Sequence, residues 1–409
     1  MSKIFPIKSD TACLLKWSWS TVFFDSQTSA SCHKTQAYPI DPNNFSNFHN
    51  LPEKIAARNL MLDGQWPQAG CQSCQRLEAA GGQSERLYQL ENIVHESQVP
   101  PELLVNSQAT SVTPIIVEAY FKNTCNLACI YCGPRHSSRW EQENFKFKED
   151  LNSLHVTILE NKDADKMVDD FWDYLDRDQN YLTVKRYHIL GGEPFLVDGL
   201  DQSIEFWRKH RNPDLTINIV SNLCIPTDRF QSCIDKFKSL IDDDIIWKLE
   251  LTASLDGWGP EQEFVRYGLD LDLWEKNFTS LIDKPWVTLA INSTVSALTV
   301  KTMPILAKKI NEWNLVRPTD NKITQFFATT NSFDDIYAFG DKFFKDDLFQ
   351  ILELTPEYNK YGLTAIVNVL KNSTVNRDKL TDLKLFLDKL DHRRGTNWRK
   401  LFPWLVNFE

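Results

Sequence analysis

Short apolar runs rich in β-branched and aromatic residues punctuate the chain from residue 114 onward: "PIIVEAYF", "LTVKRYHIL", "LTINIVSN", "IIWKLELTASL", "WVTLAINSTV" and "ITQFFATT". Between them lie stretches such as 199–211 and 299–313, where apolar residues recur at the three- and four-residue spacing of a helix with one buried face. Six strands alternating with helices predict an α/β fold with a parallel sheet, either a partial (β/α)6 TIM-like barrel or a doubly wound open sheet. In the barrel, functional groups gather at the carboxyl ends of the strands.

The pattern changes at both ends. Residues 1–90 hold an aromatic run, "LLKWSWSTVFF", turn-rich stretches "DSQTSAS" and "PIDPNN", and a helical period near 51–62. They predict a small separate module whose thin core a bound metal would help to stabilise. Residues 91–113 read as a linker, 114–330 as the barrel and 331–409 as a helical extension that caps it, with "KLTDLKLFLDKLDHRR" its clearest amphipathic piece.

Length and composition agree with a folded globular chain: 409 residues, 42% hydrophobic and 24% charged, with no repeat and no low-complexity tract. Lys and Arg number 45 against 55 Asp and Glu, a formal charge of -10, which argues against a broad nucleic-acid surface. The start "MSKIFPIKSD" lacks the apolar run of a signal peptide, and no window approaches the roughly 20 apolar residues of a membrane span. The expectation is a cytoplasmic protein with neither membrane nor nucleic acid as partner. In reducing cytosol, clustered thiols are metal ligands or redox groups rather than disulfides.

Nine cysteines fall into three groups: Cys13, Cys32, Cys71 and Cys74; Cys125, Cys129 and Cys132; and Cys224 and Cys233. The middle group, in "NTCNLACIYCGP", is compact enough to wrap one soft metal centre. A structural zinc takes four protein ligands, whereas three leave a coordination position open for chemistry.

The C-x3-C-x2-C spacing, with Tyr131 just before the last cysteine, resembles the signature of the radical S-adenosylmethionine enzymes, and it lies where that family has it, after the first barrel strand. The resemblance implies a 4Fe-4S cluster on Cys125, Cys129 and Cys132, S-adenosyl-L-methionine chelated to the open iron, and reductive cleavage to a 5′-deoxyadenosyl radical that abstracts hydrogen from a substrate. Further stretches match in family order. "LGGEP" would bring Gly191, Gly192 and Glu193 beside the methionine amine. "IVSN" supplies Ser221 and Asn222, and "ASLDG" supplies Ser254 and Asp256, as ribose and carboxylate contacts. Arg266 in "FVRYG" would bond the carboxylate bidentately, Asn292 ends the fifth strand, and Tyr131 would pack on the adenine side. The resemblance covers about 114–328.

Cys13 and Cys32 bracket what reads as a hairpin, and "GCQSCQRLE" adds the pair Cys71 and Cys74. This arrangement resembles the SPASM and twitch modules of radical enzymes, which hold a second, auxiliary 4Fe-4S cluster but usually follow the barrel. Four cysteines equally suffice for a structural zinc. Cys224, just after "IVSN", would stand near the active face, where a thiol can return a hydrogen atom to a substrate radical. The alternative for Cys224 and for Cys233 is a small hydrophobe in the core.

The auxiliary module implies oxidative modification or cross-linking of a ribosomally synthesised precursor peptide, with a reductant such as flavodoxin or ferredoxin as electron donor. A dehydrogenase or rearrangement enzyme acting on a small molecule is the alternative. A non-catalytic iron-sulfur electron-transfer protein is the reading from another class.

Overall fold

The structure, a computed structural model, describes residues 9–32, 34–68, 70–79, 84, 86–87, 110, 112–151, 161–330, 333–406 and 408. The expected linker at 91–113 lies largely outside the described residues.

The described strands are β1 (Trp19–Phe23), β2 (Thr28–Ala30), β3 (Tyr38–Pro39), β4 (Ile116–Tyr120), β5 (Ala128–Cys129), β6 (Arg186–Leu190), β7 (Asn212–Ser221), β8 (Ile246–Ser254), β9 (Arg266–Tyr267), β10 (Val287–Val295) and β11 (Thr324–Thr329). β5 and β9 pair only with each other, and the other nine form one sheet in the order β11-β10-β8-β7-β6-β4-β1-β2-β3. From β4 to β11 the neighbours are parallel and follow chain order. Helices Asn161–Asp176, Asp198–Lys209, Thr227–Asp242, Leu271–Thr279 and Met303–Val316 lie between them in sequence. A doubly wound sheet would reverse its order at a switch point. This one does not.

Along the strands the side chains alternate. Val117, Ile189, Ile217, Leu249 and Leu289 share one face and are wholly buried with helical residues such as Phe171, Ile204, Phe237 and Leu306 in one core. On the other face Glu118, His188, Asn218 and Glu250 stand side by side across β4, β6, β7 and β8. A parallel sheet covered by helices on both faces reads as continuous apolar runs. The polar row therefore marks a face kept for something other than helix packing.

The amino-terminal segment, expected as a module of its own, is built into this sheet. β1 runs parallel to β4 from Trp19↔Ile116 to Phe23↔Tyr120, and β2 continues antiparallel to β1. Phe24, Phe45 and Phe48 share the main core with Phe121 and Phe171. The physical reason is that the aromatic run carries more apolar surface than a thin module can hide, while β4 offers an unpaired edge.

Beyond β11 the chain is helical at Lys345–Leu354, Lys360–Leu370 and Arg377–Arg394. These helices contribute Leu363, Leu383, Leu387 and Leu390 to one buried apolar cluster that also holds Ala128 and Ile130 of the cysteine loop and Trp140. Among the described residues no helix is long and apolar enough to cross a membrane.

Candidate cofactor and metal site

Cys125, Cys129 and Cys132 lie on the loop that leaves the carboxyl end of β4 and on β5 within it. β5 is held by β9 through Ala128↔Tyr267 and Cys129↔Arg266. Ser138 Oγ accepts the Cys125 N–H at 3.1 Å, Ser137 Oγ donates to Leu127 O at 2.6 Å, and Trp140 Nε1 donates to Cys129 O at 2.7 Å. The Leu127 N–H points at Cys125 Sγ, 3.4 Å away. The backbone is thus fixed while the thiols remain half-buried. Burial, then the nearby Cys129, pushes the Cys125 thiol up, and the same two causes push Cys132 up to about 12. Thiols that raise one another in this way lose their protons readily only when a cation takes the protons' place on sulfur.

Three half-buried thiols on one loop fit an iron-sulfur cluster in their donor set. Among the described residues no three His, Cys, Asp or Glu side chains converge on one ion position. In a 4Fe-4S cluster each thiolate binds its own iron, so the ligands need not converge on a point.

The "GGEP" loop follows β6 and is welded to the cysteine loop. Gly192 N–H donates to Lys122 O at 2.9 Å, and Glu193 N–H to Thr124 O at 2.8 Å. A Cβ on Gly192 would stand 2.4 Å from both Asn123 O and Thr124 O, and one on Gly191 would stand 3.0 Å from Lys122 O. Both glycines thus serve close approach of backbone to backbone. Glu193 is fully buried, and its carboxylate accepts from Ser221 Oγ at 2.8 Å, Asn222 N at 2.7 Å and Phe195 N at 3.2 Å. Burial still outweighs these donors and pushes its carboxyl up to about 7.

Asn222 completes the junction. Its Nδ2 lies 3.0 Å from Asn126 Oδ1 and 3.7 Å from Cys125 Sγ, and its Oδ1 accepts the Cys224 N–H at 2.8 Å. The next residue, Leu223, has φ 53°, left-handed backbone that a residue with a side chain seldom adopts. Such strain persists only where the surroundings impose it. Here it aims Asn222 at a cysteine sulfur.

Asp256 and Arg266, expected as separate cofactor contacts, face each other. Arg266 donates Nε to Asp256 Oδ2 at 2.9 Å and Nη2 to Asp256 Oδ1 at 2.8 Å, both groups buried. Burial alone would lower the guanidinium, and the Asp256 charge more than offsets it. Tyr131 Oη donates to Asp256 Oδ2 at 2.6 Å, and Thr294 N–H donates to Oδ1 at 2.8 Å. Tyr131, Asp256 and Arg266 therefore tie the cysteine loop to the ends of β8 and β10. Ser254 and Asn292 are register partners across β8 and β10, both half-buried, and neither side chain has a hydrogen bond among the described residues.

Cys224 is buried; its Sγ accepts the Asp270 N–H at 3.2 Å and lies 3.7 Å from Gly268 O. Cys233 is wholly buried in the core.

The other four cysteines gather in the amino-terminal part. Cys13, Cys32, Cys71 and Cys74 line one recess, partly open to solvent, together with Lys16, Trp66 and Arg86. Cys13 is pushed up to about 12 by burial first and Cys32 second, and Lys16 and Arg86 pull it back down. Arg86, which also lines the recess, pairs with Glu78 at 2.5 Å and donates to Ala12 O at 2.6 Å. Lys16 was passed over in the sequence. A charged residue in the apolar run "CLLKWSW" was the signal that could have found it.

No protein family's sequence model matches this chain, nor does any curated protein. Among solved structures it is similar to native anSMEcpe with bound AdoMet and Kp18Cys peptide, at 18% identity over 58% of this chain, TM-score 0.34. It spans 57% of that protein's length. It is also similar to Streptococcus suis SuiB bound to precursor peptide SuiA, at 12% identity over 92% of this chain and 71% of that one, TM-score 0.36. For SuiB bound to S-adenosylmethionine the figures are 13%, 92%, 70% and 0.35.

Proposed function

We propose that this chain is a radical S-adenosylmethionine enzyme that oxidatively modifies or cross-links a ribosomally made peptide. The observation that carries the reading is the meeting, at the carboxyl ends of β4, β6 and β7, of the three-cysteine loop, the "GGEP" loop and Asn222. Cys125, Cys129 and Cys132 would hold the catalytic 4Fe-4S cluster, and Cys13, Cys32, Cys71 and Cys74 an auxiliary one. Bound there, the first cluster supplies the electron that cleaves S-adenosylmethionine.

The chain's own residues prepare that step. Ser137, Ser138 and Trp140 fix the loop backbone, and Asn222 directs an N–H at Cys125. Glu193 locks the ends of β6 and β7 together. Ser254 and Asn292, side by side on β8 and β10, keep polar side chains without hydrogen bonds among the described residues, suited to a ribose or carboxylate. The four-cysteine recess supports the oxidative reading, because a fully ligated centre suits taking up the electron left when a substrate radical closes a new bond.

Anaerobically reconstituted protein with a strong reductant should convert S-adenosylmethionine to 5′-deoxyadenosine, and replacing Cys125, Cys129 and Cys132 by Ala should abolish that product. Undiminished product in the triple variant would overturn the assignment. For the substrate class, a precursor peptide co-expressed with the enzyme should lose hydrogen by mass. An unchanged peptide, with turnover of a small molecule instead, would move the reading to the small-molecule class.

A further inference from the structure

Lys16 is 5% exposed, lies three residues after Cys13 and lines the four-cysteine recess. Its Nζ makes no hydrogen bond and no ion pair among the described residues. Burying an uncompensated ammonium costs several kcal/mol. Its companion cation Arg86 is satisfied by Glu78 and by two carbonyls, of Asp10 and Ala12. Lys54 and Arg58, also buried, bond hydroxyls, carbonyls and an amide, with no carboxylate among their partners. Arg86 reaches Cys13 and Cys71 as well, but its charge is shared with Glu78, whereas Lys16, with no such partner among the described residues, acts on Cys13, Cys32 and Cys71 together.

We infer that Lys16 is a positioning charge for the auxiliary centre: the buried cation that makes the cluster held by Cys13, Cys32, Cys71 and Cys74 easier to reduce. The inference rests on the reading of that recess as an iron-sulfur site. Four thiolates make such a centre anionic when oxidised and more anionic when reduced, so a fixed positive charge favours the reduced form and raises the potential. Burial keeps salt from screening it. The consequence is a centre poised to accept an electron rather than to deliver one.

The test uses the full chain carrying Ala at Cys125, Cys129 and Cys132, so that only the amino-terminal site can hold a cluster, and compares it with the same chain bearing Lys16→Met or Lys16→Arg. Iron and sulfide are measured first, then the cluster is titrated potentiometrically and followed by electron paramagnetic resonance. Lys16→Met should lower the ratio of reduced to oxidised cluster at fixed potential about tenfold, which for one electron is about 59 mV. Lys16→Arg should restore most of it, and the shift should survive high salt. If Lys16→Met fails to keep its cluster, Lys16→Gln supplies the neutral comparison with a polar head. A full cluster whose potential is the same with and without the charge overturns the role of Lys16 alone. Zinc without sulfide in the parent overturns the reading of the recess on which it rests.

Discussion

Arg266 and Asp256 illustrate what a single residue can and cannot reveal. In sequence, "SLDG" and "FVRYG" each read as a polar group at a strand end, and nothing local says that the two would meet. In the fold the guanidinium and carboxylate are mutual partners in a buried pair. Removing one member strands the other's charge, so Arg266→Ala should destabilise the protein by about 3–5 kcal/mol, seen as a lowered denaturant midpoint. The Asp256→Asn change added to it should recover part of that loss. Recovery would be absent if Arg266 acted only on a bound ligand. Glu193 adds a pH dependence. Its carboxyl sits near 7 when folded, above the ordinary 4.5 of the unfolded chain, so the folded form binds the proton more tightly. Stability from this group is complete below pH 4.5 and is lost as pH rises to 7, a loss on the order of 3 kcal/mol. Denaturation of the cluster-free protein across that range should show the decline. Glu193→Gln, which cannot ionise, should flatten it.

At the scale of elements, the six parallel strands were legible because each is a β-rich run bounded by turns, and the three-cysteine loop was legible because its spacing is local in sequence. What each glycine faces was not. Gly191 and Gly192 read as places of close approach, and the structure shows them close to the backbone at Lys122, Asn123 and Thr124. Local pattern specifies that a side chain must be missing, and tertiary packing decides what fills the space. Gly192→Ala would press a methyl onto two backbone carbonyls that have no rotamer in which to retreat. It should push the cysteine loop away, with loss of bound iron after reconstitution even where circular dichroism reports an intact fold. Retention of a full complement of iron would mean that the two loops are coupled more loosely than their hydrogen bonds imply.

For the whole molecule, the helical extension reads from sequence as a packing cap, and its place is more specific than that. Arg393 bonds Asn144 Oδ1 at 2.9 Å and Glu149 Oε2 at 3.0 Å, and Arg394 bonds Glu143 Oε2 at 3.1 Å, so helix Arg377–Arg394 grips the helix that follows the cysteine loop. Leu387, wholly buried, belongs to the same apolar cluster as Trp140. Leu387→Ala should cost about 2–5 kcal/mol and loosen a loop distant in sequence, measured as faster amide exchange at 125–132. The sheet's other edge was illegible for a different reason. Pairing of β1 with β4 joins residues nearly a hundred positions apart, and strand periodicity carries no record of so distant a partner. That pairing also sets a timetable. During synthesis at roughly 5–20 residues per second, the first strand leaves the ribosome roughly 5–20 s before the strand it must join. Val112, Ile115 and Ile116, which pack with Cys13 and Cys71, arrive equally late. The newborn chain thus carries four exposed thiols and an unpaired aromatic strand through that interval, and the recess that would hold their metal closes only once β4 has been made.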